Sequence, residues 1–234
     1  MSEAVREVVV TSAEEAVAAV EGGADRLEPA SDMEADGMSP SPSEFVRTRE
    51  AVPVPVRVMV RDEGGSQVAD LDELCATAAV LRRAGAGAFV LGFLTPDGAL
   101  DLPAVRAVLD SIPGCGWSFH RALDQARDRA AVRRALDGLP GPDTVLSAGG
   151  VTGVAAGLRT LPAEADRRGE PGYTMNVMAG GGLAVEHVPL QRARGVRAFH
   201  VGTSVRRRGW DSPVGPAAVH RGLHHVDTGS KRAG

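Results

Sequence analysis

Lysine is almost missing from this chain. Among 234 residues only Lys231 is a lysine, close to the C-terminal end, and every other member of the Lys+Arg set is arginine. Schiff-base catalysis needs a desolvated lysine amine, and a phosphate-binding P-loop needs a lysine of its own. Both are excluded for the body of the chain. Cysteine is nearly as scarce: Cys75 and Cys115 are too few for a disulfide framework and form no CxxC pair. Cys75 shares an apolar helical face with Leu71, Leu74, Ala78 and Leu81, so it is expected in the core. Cys115 precedes a strand and is expected at the end of the fold away from any strand-exit site.

Other absences narrow the class further. No apolar run reaches the roughly 18 residues of a membrane span. Met1–Glu7 lacks the basic-then-apolar layout of a signal peptide, which makes the cytoplasm the expected location. No GxGxxG follows the first strand, against a dinucleotide-binding sheet. A formal charge of −4 without a basic stripe argues against nucleic acid as the main partner.

What the chain does have is alternation. With 43% hydrophobic residues it is long enough for one sizeable core. Short strands are expected at Arg6–Thr11, Asp25–Pro29, Val54–Arg61, Ala88–Leu94, up to Phe119, Thr144–Ser147, Tyr173–Met178 and Ala198–Val201. Helices are expected between them, at Ala13–Glu21, Ser43–Glu50, Asp70–Ala84, Leu102–Ser111, Arg127–Leu139, Thr152–Leu161 (the weakest) and Glu186–Arg194. Ala163–Pro171 reads as an irregular insert. Ser12 with Glu15 has the spacing of a capping box. A junction also recurs: EGGADRLEP, RAGAGAFVLG and ARGVRAFHVG each join a helix-ending glycine to a buried strand. A single α/β domain, a closed (β/α)8 barrel of the TIM type over residues 1–215, fits best, and a doubly wound open sheet is second. Residues 216–234 turn polar and His-rich and are expected to form a frayed tail.

In such a barrel the carboxyl ends of the strands line the active face. The stretch Trp117–Asp124, WSFHRALD, delivers His120 and Arg121 to a strand exit, with Asp124 about one helical turn later. Other exits supply Glu7 or Val9, Glu28, Arg61, Ser147, Asn176 or Met178, and His200. The last two exits are glycine-rich, Gly180–Gly182 and then Gly202, Thr203 and Ser204, and bare backbone N–H groups there suit an anion. Glu7 sits early in its strand and can instead pair with an arginine lower in the barrel. The convergence reads as an acid–base site for a small anionic or phosphorylated substrate, of isomerase, lyase or hydrolase type. His120 would be the acid/base group, Glu28 its partner, Arg61 and Arg121 the anion clamps, and Asp124 a member of the same cluster. A non-catalytic barrel serving as an assembly subunit is the competing reading.

These residues also resemble a known family. GADRLE at Gly23–Glu28, the loop from Gly37 to Ser41, VMVR before Gly64 and Gly65, and FHRALD at Phe119–Asp124 resemble the CutC family. So do VLSAG at Val145–Gly149, MAGGG at Met178–Gly182 and FHVGTS at Phe199–Ser204. The resemblance implies a (β/α)8 barrel, a cytoplasmic homo-oligomer, a small-molecule or metal ligand and a role in copper homeostasis. The family's cysteines correspond here to Val9 and Ala30. Copper(I) favours thiolate and thioether ligands, which leaves Met33, Met38, Met59, Met178 and the imidazoles as its soft donors. The family's Arg-Pro-Arg-Gly-Gly loop appears as Arg61-Asp62-Glu63-Gly64-Gly65, and Asp36 stands where the family usually has glycine. Both changes are expected to make the mouth more acidic.

Overall fold

Runs of β-branched residues have little χ1 freedom to lose in a pleated sheet, and VREVVV accordingly forms strand β1 (Val5–Val10). The computed structural model describes residues 4–224. After β1 come β2 (Arg26–Pro29), β3 (Val58–Met59), β4 (Ala88–Leu91), β5 (Gly116–Phe119), β6 (Pro142–Ser147), β7 (Asn176–Ala179) and β8 (Ala198–Val201). These eight strands lie in the order β2-β1-β8-β7-β6-β5-β4-β3, and neighbouring strands pair in parallel throughout. The two edges meet at Leu27, whose N–H donates to Pro55 O at 3.0 Å and whose carbonyl accepts from Arg57 N at 2.9 Å. The sheet is thereby closed, and the expected (β/α)8 barrel is what the chain forms. β3 is far shorter than Val54–Arg61, because Pro53 and Pro55 have no N–H to give a ladder.

Helices α1 (Ala13–Glu21), α2 (Pro42–Glu50), α3 (Leu71–Arg83), α4 (Leu102–Ser111), α5 (Ala122–Gln125), α6 (Arg129–Asp137), α7 (Thr160–Asp166) and α8 (His187–Ala193) follow in chain order. Ser12, Ser41, Asp70, Asp101 and Asp128 cap five of them, each accepting the backbone N–H three residues on. The full capping box is Ser41 with Glu44. Glu15 does not complete one with Ser12; its carboxylate accepts from Thr11 N at 2.8 Å and from Arg206. Thr152–Leu161 is largely turns, because Gly149, Gly150 and Gly153 all take positive φ. The helix begins only at Thr160 and runs into the segment expected to be irregular, with Leu161 fully buried and Glu164 held by arginines.

The largest departure is at the C-terminal end. After β8 the chain forms strand β9 (Arg207–Trp210) and helix α9 (Pro216–His224). The frayed tail expected from residue 216 is thus corrected as far as His224, while 225–234 lie outside the described residues. Val219 is fully buried and packs on α1, where a Cβ on Gly22 would lie 2.5 Å from Val219 Cβ. α9 is the helix of the eighth βα unit. Cys75 is half-buried against the core rather than within it, and Cys115, also half-buried, precedes β5 as expected. Among the described residues no helix is long and apolar enough to cross a membrane.

Candidate functional site

The period-two alternation of the strands decides what enters the barrel. In β1 and β2 it turns Glu7, Val9, Arg26 and Glu28 inward, and the register sets Glu7 beside Arg26 on one side and His200 on the other. The interior is therefore charged where aliphatic layers usually fill such barrels. Arg26 pairs with Glu7. On the next arc, Arg57 donates to Asp143 through both terminal nitrogens and to Ser118 Oγ, each at 2.6 Å.

Above this layer a cavity of about 310 Å³ opens at the carboxyl ends of the strands. Glu28, Arg61, His120, Arg121 and His200 line it, as do Gly181, Gly182, Gly202, Thr203 and Ser204. His200 Nδ1 lies 2.8 Å from Glu7 Oε1 and 3.8 Å from Glu28 Oε2. Glu28 is buried, and its Oε2 has no hydrogen-bond partner. Burial pushes the Glu28 carboxyl up and the Glu7 charge adds to this; His200, Arg61 and Arg26 oppose it, leaving the group at about 7. Burial also raises Glu7, but Arg26, His200 and Arg57 together outweigh it and hold Glu7 at about 2. For His200 burial lowers the pKa, and the two carboxylates more than reverse that. The cluster is thus a fixed carboxylate, an imidazole whose protonated form the carboxylates favour and a carboxyl group poised to gain or lose a proton near neutral pH.

His120 is a different kind of histidine. Burial first, then Arg61 and Arg121, push its pKa well below 6.5, so the ring is neutral. Arg61 Nη2 lies 2.9 Å from Nε2, and the Ala122 N–H points at Nδ1 from 3.1 Å. A neutral ring has one bare nitrogen, and the charge-assisted donor outcompetes the amide for it. Arg61 is itself held by the carbonyls of Asp36 and Gly37. Ser39 in turn ties that loop to the backbone of Arg61. Asp36 lies on the mouth at φ 65, a conformation that explains a preference for glycine and that aspartate tolerates. Glu63 is exposed and outside the lining, so of the two acidic changes only Asp36 bears on the mouth.

The glycines act by making room. A Cβ on Gly92 would lie 2.7 Å from the His120 ring, one on Gly180 would meet Leu146 and His200, and one on Gly181 would collide with the Arg121 guanidinium. Asp124 and Ser147 fall outside the cavity lining and are saturated by protein. Ser147 Oγ donates to Asp124 at 2.6 Å, Ala148 N at 2.8 Å, Arg129 at 2.8 Å and Arg121 Nε at 3.2 Å. They hold α5 against the β6 exit and steer Arg121. Glu7 likewise lies beneath the cavity, on Arg26, as its place early in the strand allowed. Sequence reasoning missed Arg26 and Trp210. Arg26 was detectable two residues before Glu28 on the same strand face; Trp210 carries no periodic signal.

A charged-mouth (β/α)8 barrel is the class that this fold and site define. The CutC family model matches residues 4–205. A family protein CutC from Xanthomonas campestris pv. campestris is 34% identical over 202 residues, 83% of this chain and 81% of that protein. Its namesake from Caulobacter vibrioides is 31% identical over 198 residues, 83% of this chain and 79% of that protein. The chain belongs to the CutC family. CutC of Streptococcus agalactiae, whose crystal structure is named for copper homeostasis, superposes with a TM-score of 0.77 at 21% identity, covering 86% of this chain and 98% of that one. A phosphoribosylanthranilate isomerase from Thermotoga maritima shares the fold at a TM-score of 0.61 and 17% identity, covering 96% of this chain and 99% of that one.

The residues present lack the thiolates that copper(I) favours. Val9 and Ala30 fall in one apolar cluster with Met59 and Val90, so hydrocarbon stands where the resemblance places thiols. Met33 and Met59 reach the cavity, whereas Met178 Sδ accepts from Arg26 inside the barrel. Glu7, Glu28 and His200 can bring three ligand atoms within 4.8 Å of one another, but this set is hard to borderline and suits zinc or manganese better.

Proposed function

We propose that the mouth of this barrel binds a small anionic molecule and moves protons on it without lysine. The observation that carries this reading is Glu28 Oε2, a buried carboxylate oxygen with no hydrogen-bond partner, 3.8 Å from His200 Nδ1 at the cavity wall. An unpaired buried acceptor is costly unless a bound group satisfies it. Glu28 at about 7 is matched to general base or acid work near neutral pH. His200 uses Nδ1 on Glu7, which leaves Nε2 for a bound molecule. One proton passes from the substrate to Glu28 and one returns from His200, an isomerisation that needs no oxidant or co-reactant. Arg61 and Arg121 supply the cationic wall, and neutral His120 orients Arg61.

The test is solvent exchange. The protein in D2O is offered a panel of small carboxylates and phosphate esters, and loss of C–H signal is followed by proton NMR. Exchange that disappears in Glu28→Gln and His200→Gln, with the fold retained, supports the reading; exchange that persists in both overturns it. Copper homeostasis reaches this chain through the family resemblance and the name of a structural neighbour. The assembly and cytoplasmic location implied by the resemblance belong to the same proposal, and light scattering on the purified chain checks the first.

A further inference from the structure

We propose that the molecule bound here carries a flat apolar body beside its anionic group, and that Trp210 is the platform on which that body rests. The proposal rests on the anionic reading of the mouth given above and names the substrate class for it.

Trp210 lies beyond the segment matched by the family model and belongs to β9. Three features seat its ring before any ligand arrives. Gly202 leaves the space for it, since a Cβ there would lie 2.8 Å from Trp210 Cη2. The Arg206 guanidinium stacks on it, 4.6 Å from the ring centroid. Arg206 is in turn anchored by hydrogen bonds: it binds both carboxylate oxygens of Glu15, and it donates to Val9 O at 3.2 Å and Ser212 O at 3.1 Å. A ring held this way loses little entropy when a ligand stacks on it.

The ring is only half-buried and lines the cavity. It packs in one apolar cluster with Val9, Ala30, Met33 and Met59, so the two positions where thiols are absent form part of a hydrocarbon wall. Arg61 and Arg121 line the same cavity. A space of about 310 Å³ is at the small end of ligand pockets. A compact aromatic or unsaturated acid meets all three conditions, whereas a bare oxyanion leaves the apolar wall wet.

Four probes test this by titration calorimetry on the full chain: acetate, phenylacetate, inorganic phosphate and indole. Phenylacetate is expected to bind about ten-fold tighter than acetate, the scale of one buried aromatic contact. Trp210→Ala should bring it down to the acetate level, Trp210→Phe should keep most of the gap, and Arg121→Gln should weaken both acids alike. Should Trp210→Ala fail to fold, Trp210→Leu, which keeps bulk but loses the flat face, replaces it. Equal binding of the two acids, or a gap that survives loss of the ring, overturns the inference while leaving the anion site standing. Indole binding with none of the three anions bound overturns the anion reading itself, and the inference with it.

Discussion

Arg61 Nη2 sits 2.9 Å from His120 Nε2, and because a guanidinium only donates, this contact makes His120 an acceptor rather than a base. Replacing Arg61 by glutamine removes a nearby cation that holds the imidazole neutral. The His120 pKa is therefore expected to rise, measured by NMR titration of its ring protons. The sign for stability follows. A histidine depressed in the folded state contributes stability that is present above 6.5 and is lost as pH falls below it. The Arg61→Gln protein should accordingly lose less stability than the wild type between neutral and mildly acid pH.

Glu28 works in the opposite sense. Its carboxyl is raised to about 7 from 4.5, so the folded state keeps a proton that the unfolded chain has already released. The associated stability is present below 4.5 and is lost as pH rises through 7. His200, also raised, loses its contribution in the same direction. The wild type should thus become less stable relative to Glu28→Gln as pH rises from 4.5 through 7, read from urea midpoints. The same substitution should lower the His200 pKa, because Glu28 is one of the charges raising it.

Two adjacent glycines separate geometry from strain. Gly181 and Gly182 both have positive φ, at 92° and 72°, so alanine at either is expected to cost about 1–2 kcal/mol in backbone strain. Only at Gly181 would the new methyl strike Arg121; at Gly182 it meets nothing within 4 Å. Gly181→Ala should therefore weaken binding of phosphate or acetate, while Gly182→Ala should lower the melting temperature without that loss.

Arg133 is fully buried and leans on Glu164, which also accepts from Arg129 at 2.8 Å. Glu164→Gln would leave the Arg133 cation buried without a counter-charge. Denaturant unfolding should register a loss of about 3–5 kcal/mol, the usual result of breaking a buried pair from one side. Arg133→Met together with Glu164→Leu should recover much of it, since no unpaired charge then remains.

Val9 and Ala30 meet in one cluster, so thiols can be put back. In anaerobic competition against a chromophoric chelator, the full untagged chain is expected to show no tight stoichiometric copper(I) binding that depends on His120 or His200. The Val9→Cys/Ala30→Cys chain should gain such binding, because two thiolates join the thioethers of Met33 and Met59 in a wall that otherwise has no thiol.

The barrel was legible because its signals are local. Glycine-ended helices followed by short apolar strands recur along the chain, and each unit needs only its own residues to declare a helix, a turn and a strand. The strand exits followed from counting, and Glu28, Arg61, His120, Arg121 and His200 do meet around one cavity. The eighth helix was not legible. Pro216–His224 follows a polar stretch and gains its order from burying Val219 on α1, near the other end of the chain.

Amino-acid order alone determined which side chains would face the barrel interior, because alternation in a strand is a property of the backbone. What each of them does was decided by folding. Two histidines of the same intrinsic pKa end up on opposite sides of 6.5 because one is buried beside arginines and the other between carboxylates. Asp124 and Ser147 leave the site because Arg129 and the Ala148 amide reach them first. Trp210 enters it because Arg206 finds Glu15, 191 residues away. Charge, burial and hydrogen bonding act through space, and only the closed barrel sets those distances.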